Sequence, residues 1–206
     1  MDRSVTVGIL LFDEVEVLDF AGPFEVFSVS QLPNGSVRPF LVSTVSENGQ
    51  LIHARNGLKV QPDYGFGNAP EFDVLVIPGG PGAREREVHN PSVIEWIKGR
   101  EARVSILASV CTGAFLLAKA GLLNGKKATT HWASLDRFAR EFPGVTVRRD
   151  VRYVDEGRII TSGGISAGID MALHIVAKIC GVEVAQTAAR RMEYDWQPER
   201  GGEARA

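Results

Sequence analysis

The sequence predicts an α/β protein, a mostly parallel sheet with helices packed on both faces. Three observations carry this. The nearly continuous apolar segments Thr6 to Phe12, Phe72 to Ile77 and Ile106 to Val110 read as strands buried on both faces. Helix-like stretches alternate with them, as in β-α-β units. Three unusual sequences fall where strands should end: Pro78-Gly79-Gly80, Cys111 and Ser162-Gly163-Gly164. Open α/β sheets bind ligands outside the carboxyl ends of their strands, so these three are expected to converge on one edge.

The elements follow in order. The first strand stops at Asp13-Glu14. Leu18 to Phe27 reads as a helix entry, with Pro23 suited to a first turn and Phe24 and Phe27 sharing a face at i, i+3. Pro33-Asn34-Gly35 is a turn. Arg38 to Ser46 is a second strand. His53 to Pro62 holds a short pair broken at Asn56-Gly57, the strongest short hairpin signal. Pro91 opens a helix with Ile94 and Ile97 turned inward. Cys111 then joins a strand to an Ala- and Leu-rich helix. Leu122 to Lys127 is a turn, Ala128 to His131 a short strand, and Trp132 to Phe142 a helix. Val145 to Thr161 reads as strands with a turn at Glu156-Gly157. After the loop Ser162 to Gly168, a long helix runs from Ile169 to Cys180 and stops at Gly181, the residue type that favours a helix end. A last helix spans Val184 to Tyr194. Neither a repeat nor a linker interrupts the chain. One domain over residues 1–196 and a polar, flexible tail over 197–206 are expected.

Composition narrows the function. A chain of 206 residues, 44% hydrophobic, can bury a substantial core. The formal net charge of -2, from 23 Lys+Arg and 25 Asp+Glu, carries no basic signature for nucleic acid or an anionic membrane. No apolar run approaches the ~20 residues of a membrane span. Met1-Asp2-Arg3-Ser4 leads straight into a strand without the pattern of a signal peptide. Two cysteines in such a chain are expected to be thiols in a reducing compartment. The expectation is a cytoplasmic protein whose partner is a small molecule, with no nucleic acid and no membrane.

Cys111 is the first candidate for chemistry. A thiol at a strand-to-helix junction, near the positive end of a helix, should ionise more easily than the roughly 8.5 of a free cysteine. That favours a nucleophile over a small buried hydrophobe. Cys180, on the apolar face of a long helix, reads as packing. The paired Gly79 and Gly80 are either a plain turn or backbone N–H donors of an oxyanion hole. Asp19 is either a carboxylate favoured by a helix N-terminus or a buried carboxyl working as acid or base. Spacing alone favours the former, and Glu25 competes weakly for the latter. His131 ends a strand beside Trp132, and a place near the site and a structural hydrogen bond are equally consistent with that. His174 reads as core, His53 and His89 as surface. Arg148-Arg149 and Arg190-Arg191 read as solvated faces. No His/Cys/Asp/Glu set has metal-ligand spacing and no phosphate or dinucleotide fingerprint is present, so neither metal nor cofactor is expected.

These motifs, taken in order, resemble the ThiJ/PfpI superfamily within the class I glutamine amidotransferase-like fold. The carrying segments are Leu10-Leu11-Phe12, Leu18-Asp19 with Gly22-Pro23, Ile77-Pro78-Gly79-Gly80, and Ser109-Val110-Cys111-Thr112-Gly113 with Ala120-Gly121-Leu122-Leu123. Ala128-Thr129-Thr130-His131-Trp132 and Gly163 to Asp170 complete the set. Within the superfamily the chain looks most like the isonitrile hydratase group. The resemblance implies a flavodoxin-like three-layer sandwich, a homodimer, and a cysteine on a strained elbow. It implies Cys111 as nucleophile, Thr112 as the neighbour that orients the site, and Asp19 as the carboxylic partner where many relatives have Glu. Gly79, Gly80, Gly164 and Ile165 are implied as pocket walls and backbone donors. Phe20, Ile165 and Trp132, with His131 nearby, would line a pocket for an alkyl group. Protease-like relatives carry histidine directly after the cysteine. Thr112 stands there instead, which argues against peptide hydrolysis. The implied reaction is hydration of an isonitrile to an N-substituted formamide. A glyoxalase-like activity and a ligand or oxidant sensor are the alternatives. Residues 20–27 also look like the ligand-binding domains of AraC-type regulators. The sequence ends soon after Asp195, and no helix-turn-helix segment is expected.

Overall fold

The apolar segments at 5–10, 74–77 and 106–109 form the centre of the sheet, with Ile9, Leu10, Val74 to Ile77 and Ala108 fully buried. The structure, a computed structural model, describes residues 3–33 and 38–198. Most of the turn expected at Pro33-Asn34-Gly35 and of the expected tail lies outside them. The strands are β1 (Val5–Leu10), β2 (Phe40–Ser46), β3 (Ile52–His53), β4 (Lys59–Val60), β5 (Tyr64–Gly65), β6 (Val74–Ile77), β7 (Ile106–Ser109), β8 (Lys127–Ala128), β9 (Thr146–Val147), β10 (Tyr153–Asp155) and β11 (Ile159–Ser162). The helices are α1 (Val17–Val29), α2 (Pro81–Glu85), α3 (Pro91–Glu101), α4 (Gly113–Lys119), α5 (Leu135–Glu141), α6 (Ala167–Cys180) and α7 (Val182–Arg191).

The main sheet has the order β10-β11-β7-β6-β1-β2-β5. Its pairs are parallel except β10 with β11. Helices α1, α6 and α7 pack together on one face, and α2, α3 and α4 on the other. This is the expected flavodoxin-like three-layer arrangement. The chain leaves β1 toward β2 on one side and later returns to β6 on the other. That reversal sets the ends of β1, β6, β7 and β11 side by side, where an open α/β sheet forms its crevice.

Several local expectations hold and several shift. Asn56 and Gly57 adopt φ of 63° and 88°, the left-handed pair that an Asn-Gly hairpin requires, between antiparallel β3 and β4. Pro23 sits well inside α1 rather than in its first turn, because the helix already begins at Val17. It has no N–H to return to the Asp19 carbonyl one turn back. Phe27 is fully buried, whereas Phe24 is 38% exposed, so the two do not share one buried face. Trp132–Ser134 form a tight 3-10 turn before α5, in place of one continuous helix. His174 is half-buried rather than core, its Nε2 2.8 Å from Asp155 Oδ2. Cys180 is also half-buried, at the edge of the core. Among the described residues, no helix is long and apolar enough to cross a membrane.

Candidate functional site

Cys111 lies immediately beyond β7 and before α4 with φ of 56°, a left-handed conformation that costs a non-glycine residue on the order of 1 kcal/mol. The surrounding backbone imposes it. The Cys111 N–H donates to both the Ser162 carbonyl (3.2 Å), at the end of β11, and the Gly163 carbonyl (3.1 Å), just beyond it. The Cys111 carbonyl accepts from Thr130 Oγ1 at 2.7 Å. On the other flank, the Val110 N–H donates to the Ile77 carbonyl at the end of β6 (3.0 Å). The elbow is therefore clamped by the two neighbouring strands and by Thr130.

Asp19 approaches from the first turn of α1 and is fully buried. Its Oδ2 accepts the Gly79 N–H at 3.0 Å, while its Oδ1 has no hydrogen-bond partner. Burial raises the Asp19 pKa from 3.8 to about 7, against the pull of the Gly79 N–H. The Glu16 charge pushes the same way as burial, whereas Cys111 and Arg55 oppose it. The carboxyl and the Cys111 thiol face each other, and each alters the other's proton affinity. The thiol is pushed up, first by burial and then by the Asp19 charge, with the Thr112 N–H pulling down. This reverses the expectation of easy ionisation. Cys111 is only 5% exposed, and desolvation outweighs the short helix behind it.

The paired glycines serve the site differently from an oxyanion hole. The Gly79 N–H is spent on Asp19, and the Gly80 N–H donates to Thr112 Oγ1 at 2.9 Å. Thr112 Oγ1 in turn donates to the Gly80 carbonyl at 3.2 Å. Thr112 thus ties the glycine loop to the elbow. A Cβ at Gly79 would stand 2.5 Å from the Thr112 nitrogen and 3.0 Å from Asp19 Oδ2, so only glycine lets the two approach.

The opposite wall is Gly164. A Cβ there would lie 2.2 Å from His131 Cδ2 and 3.2 Å from Cys111 Sγ, so imidazole and sulfur meet across this residue. His131 Nδ1 accepts the Ala133 N–H at 3.3 Å, which leaves the proton on Nε2. Burial, and then the Arg84 charge, lower the His131 pKa and keep the ring neutral. No Cys-His hydrogen bond is formed among the described residues. Ile165 is half-buried beside Gly164. Phe20 is buried and belongs to the core cluster, and Trp132 is 79% exposed. Trp132 therefore stands out at the rim next to His131 rather than walling an enclosed pocket. Among the described residues, no group of three or more His, Cys, Asp and Glu is placed to hold a metal ion.

Sequence reasoning missed four residues. Thr130 carries no local signal, because its clamp on Cys111 depends on contact between distant segments. Glu16 ends the approach to α1 and pairs with Arg55 at the tip of the β3–β4 hairpin, Nη1 to Oε2 2.5 Å. Arg152 holds the Gly164 loop from both ends. Its carbonyl accepts the Gly163 N–H (2.9 Å), and its guanidinium binds Asp170 and Ser166 Oγ. Only the Asn-Gly turn after Arg55 hinted at any of this.

The DJ-1/PfpI family model matches residues 5–178. An isonitrile hydratase from Pseudomonas putida is 35% identical over 191 residues, 93% of this chain and 79% of that enzyme. The HTH-type transcriptional regulator GbdR of Pseudomonas aeruginosa is 30% identical over 92% of this chain, which spans 51% of the regulator. Among solved structures, a ThiJ/PfpI family protein from Pseudomonas syringae superposes with TM-score 0.81 at 29% identity, over 95% of this chain and 77% of the other. Drosophila melanogaster DJ-1beta gives the same TM-score at 22% identity, covering 94% of this chain and 100% of its own. With the family model covering most of its length and a relative 35% identical over 93% of it, the chain belongs to the DJ-1/PfpI family.

Proposed function

We propose that the chain is a lyase of the isonitrile hydratase kind, with Cys111 as nucleophile and Asp19 as the proton carrier. The observation that supports this reading best is the buried Asp19 carboxyl. One of its oxygens lacks a partner, its pKa is raised to about 7, and it is opposed to the only thiol at the sheet edge. Once the pair has lost one proton, the remaining one can sit on sulfur or on the carboxyl. In the second arrangement the Cys111 thiolate forms a bond to the terminal carbon of R–N≡C, and Asp19 delivers its proton to that carbon. The product is a thioimidate, R–N=CH–S–Cys111. The Asp19 carboxylate then takes a proton from water as the water oxygen adds to the same carbon, and passes it to nitrogen. As the C–S bond breaks, the hydroxyl proton returns to Asp19 and the electron pair to sulfur. The formamide leaves and the pair is restored.

Thr112 fixes the elbow against the glycine loop in this reading. In the same reading Gly164, whose Cα region borders Cys111 Sγ, and its neighbour Ile165 would offer their backbone to negative charge near the reacting carbon. Ile165, His131 and Trp132 would contact the alkyl group, and Gly79 and Gly80 shape the floor. The same reading carries a reducing cytoplasmic setting and a homodimer.

The test is formamide formation from a bulky alkyl isonitrile, followed by NMR. Cys111→Ala should lose at least ~1000-fold in turnover, and Asp19→Asn a comparable factor. Full activity in Cys111→Ala would falsify the nucleophile assignment. The likeness to a transcriptional regulator supports a second reading, a ligand sensor on the same site. It prevails if isonitriles or α-oxoaldehydes bind near Cys111 and neither is turned over.

A further inference from the structure

Glu16 and Arg55 lie outside the set that would touch a substrate, yet they bracket the Asp19–Cys111 pair. Glu16 immediately precedes α1, one turn ahead of Asp19, and its carbonyl accepts the Asp19 N–H at 3.2 Å. Its side chain is 14% exposed, so its charge acts through protein more than through solvent. The Glu16 N–H donates to the Gly79 carbonyl at 2.9 Å, which places this residue against the same glycine loop that binds the Asp19 carboxyl. An unscreened carboxylate here would oppose a second negative charge at Asp19.

Arg55 supplies the screen from a separate element. The β3–β4 hairpin is docked on the segment leading into α1 by three hydrogen bonds. The Arg55 N–H donates to the Val15 carbonyl (2.9 Å), the Glu14 N–H to the His53 carbonyl (2.7 Å), and the His53 N–H to Asp13 Oδ1 (2.7 Å). The left-handed Asn56-Gly57 turn then presents the Arg55 guanidinium to Glu16 at 2.5 Å. An arginine retains its charge at every pH of interest.

We propose that Arg55 is a positioning residue for the Asp19–Cys111 pair: held by the docked hairpin, it neutralises Glu16 and so sets how readily the pair gives up its first proton. The inference rests on the reading of Cys111 and Asp19 as a reactive pair. The charged or titratable groups acting on Asp19 are Glu16 from its own helix cap, Cys111 from the elbow and Arg55 from the hairpin. Glu16 and Arg55 also act on His131, which stays neutral.

The experiment measures alkylation of Cys111 by iodoacetamide against pH, which needs no substrate. Wild type should gain reactivity as pH rises through about 7, the Asp19 midpoint. Arg55→Gln should move the midpoint up, by on the order of half a pH unit for a charge acting across a partly solvated mouth. Glu16→Gln should move it down, and the double variant should return close to wild type. Arg55→Lys, which keeps the charge, should hold the wild-type midpoint. If Arg55→Gln does not fold, Glu16→Gln alone decides the matter. Loss of reactivity with an unmoved midpoint, in whichever of these two variants folds, would assign the ion pair a structural role and overturn the proposal. Shifted midpoints with no isonitrile turnover would leave this inference standing and remove the hydratase reading.

Discussion

Replacing Asp19 by Asn tests the buried carboxyl without reference to any substrate. The amide is nearly the same shape, and its oxygen can still accept the Gly79 N–H now bound at 3.0 Å. What changes is the proton. In the folded wild type the carboxyl titrates at about 7, against 3.8 for the ordinary group. Between those values the folded state holds a proton that the unfolded state has released. Stability must therefore fall as pH rises through this window, and the penalty is complete above about 7. At ~1.4 kcal/mol for each pH unit between the two values, it reaches on the order of 4 kcal/mol. The thiol, pushed up from 9.0, adds no second titration there. Asn carries no such dependence. Urea unfolding at pH 5, 6, 7 and 8 should show wild type losing stability relative to Asp19→Asn, most steeply between pH 5 and 7. Parallel profiles for the two proteins would mean that Asp19 ionises as an ordinary carboxylate, and the proton-carrier argument would fail with it.

Two further substitutions probe the geometry. At φ of 56°, glycine should be the better small replacement for Cys111. Cys111→Gly is expected to be more stable than Cys111→Ala by about 1 kcal/mol, the reverse of their order in a helix interior, and a urea midpoint ranked the other way would show that the elbow relaxes. Gly164→Ala should drive the His131 ring from its place, since the new methyl would sit 2.2 Å from Cδ2, and should slow Cys111 alkylation at least ~10-fold with the far-ultraviolet circular dichroism unchanged; unaltered alkylation would show that the wall yields freely.

Much of the fold was legible because strands buried on both faces leave continuous apolar runs. β1, β6 and β7 lie within a residue or two of where hydropathy puts them. The elbow was legible for a related reason: a polar thiol between an apolar strand and an apolar helix has few other places to sit. The direction of its proton affinity was not. Helix polarity can be read from local sequence, whereas desolvation depends on what covers the sulfur, and here Asp19 and the Gly164 wall arrive from distant parts of the chain. Pro23 misled for a local reason. The helix starts at Val17, ahead of the apolar pattern that announces it. The glycine pair stands out in the sequence, but its N–H groups face inward to Asp19 and Thr112, a choice fixed only when α1 docks across the sheet edge.

The costs collected at this edge are themselves evidence about what it is for. A left-handed cysteine, a buried carboxyl with an orphan oxygen, and glycines that exclude even a methyl each oppose stability or restrict sequence. None is needed to close the sheet, whose strands pair in register without them. Among the described residues, the other buried side-chain polar atoms without partners are Ser109 Oγ and the indole nitrogens of Trp96 and Trp196. Those are neutral groups, and each costs far less than a buried ionisable carboxyl. Penalties that are individually avoidable, yet meet within one contact shell, support the proposal of a reactive site at this edge. In the proposed reaction, a donor presented to Asp19 Oδ1 by the substrate would relieve the largest of them, so that part of the binding free energy could be used in proton transfer.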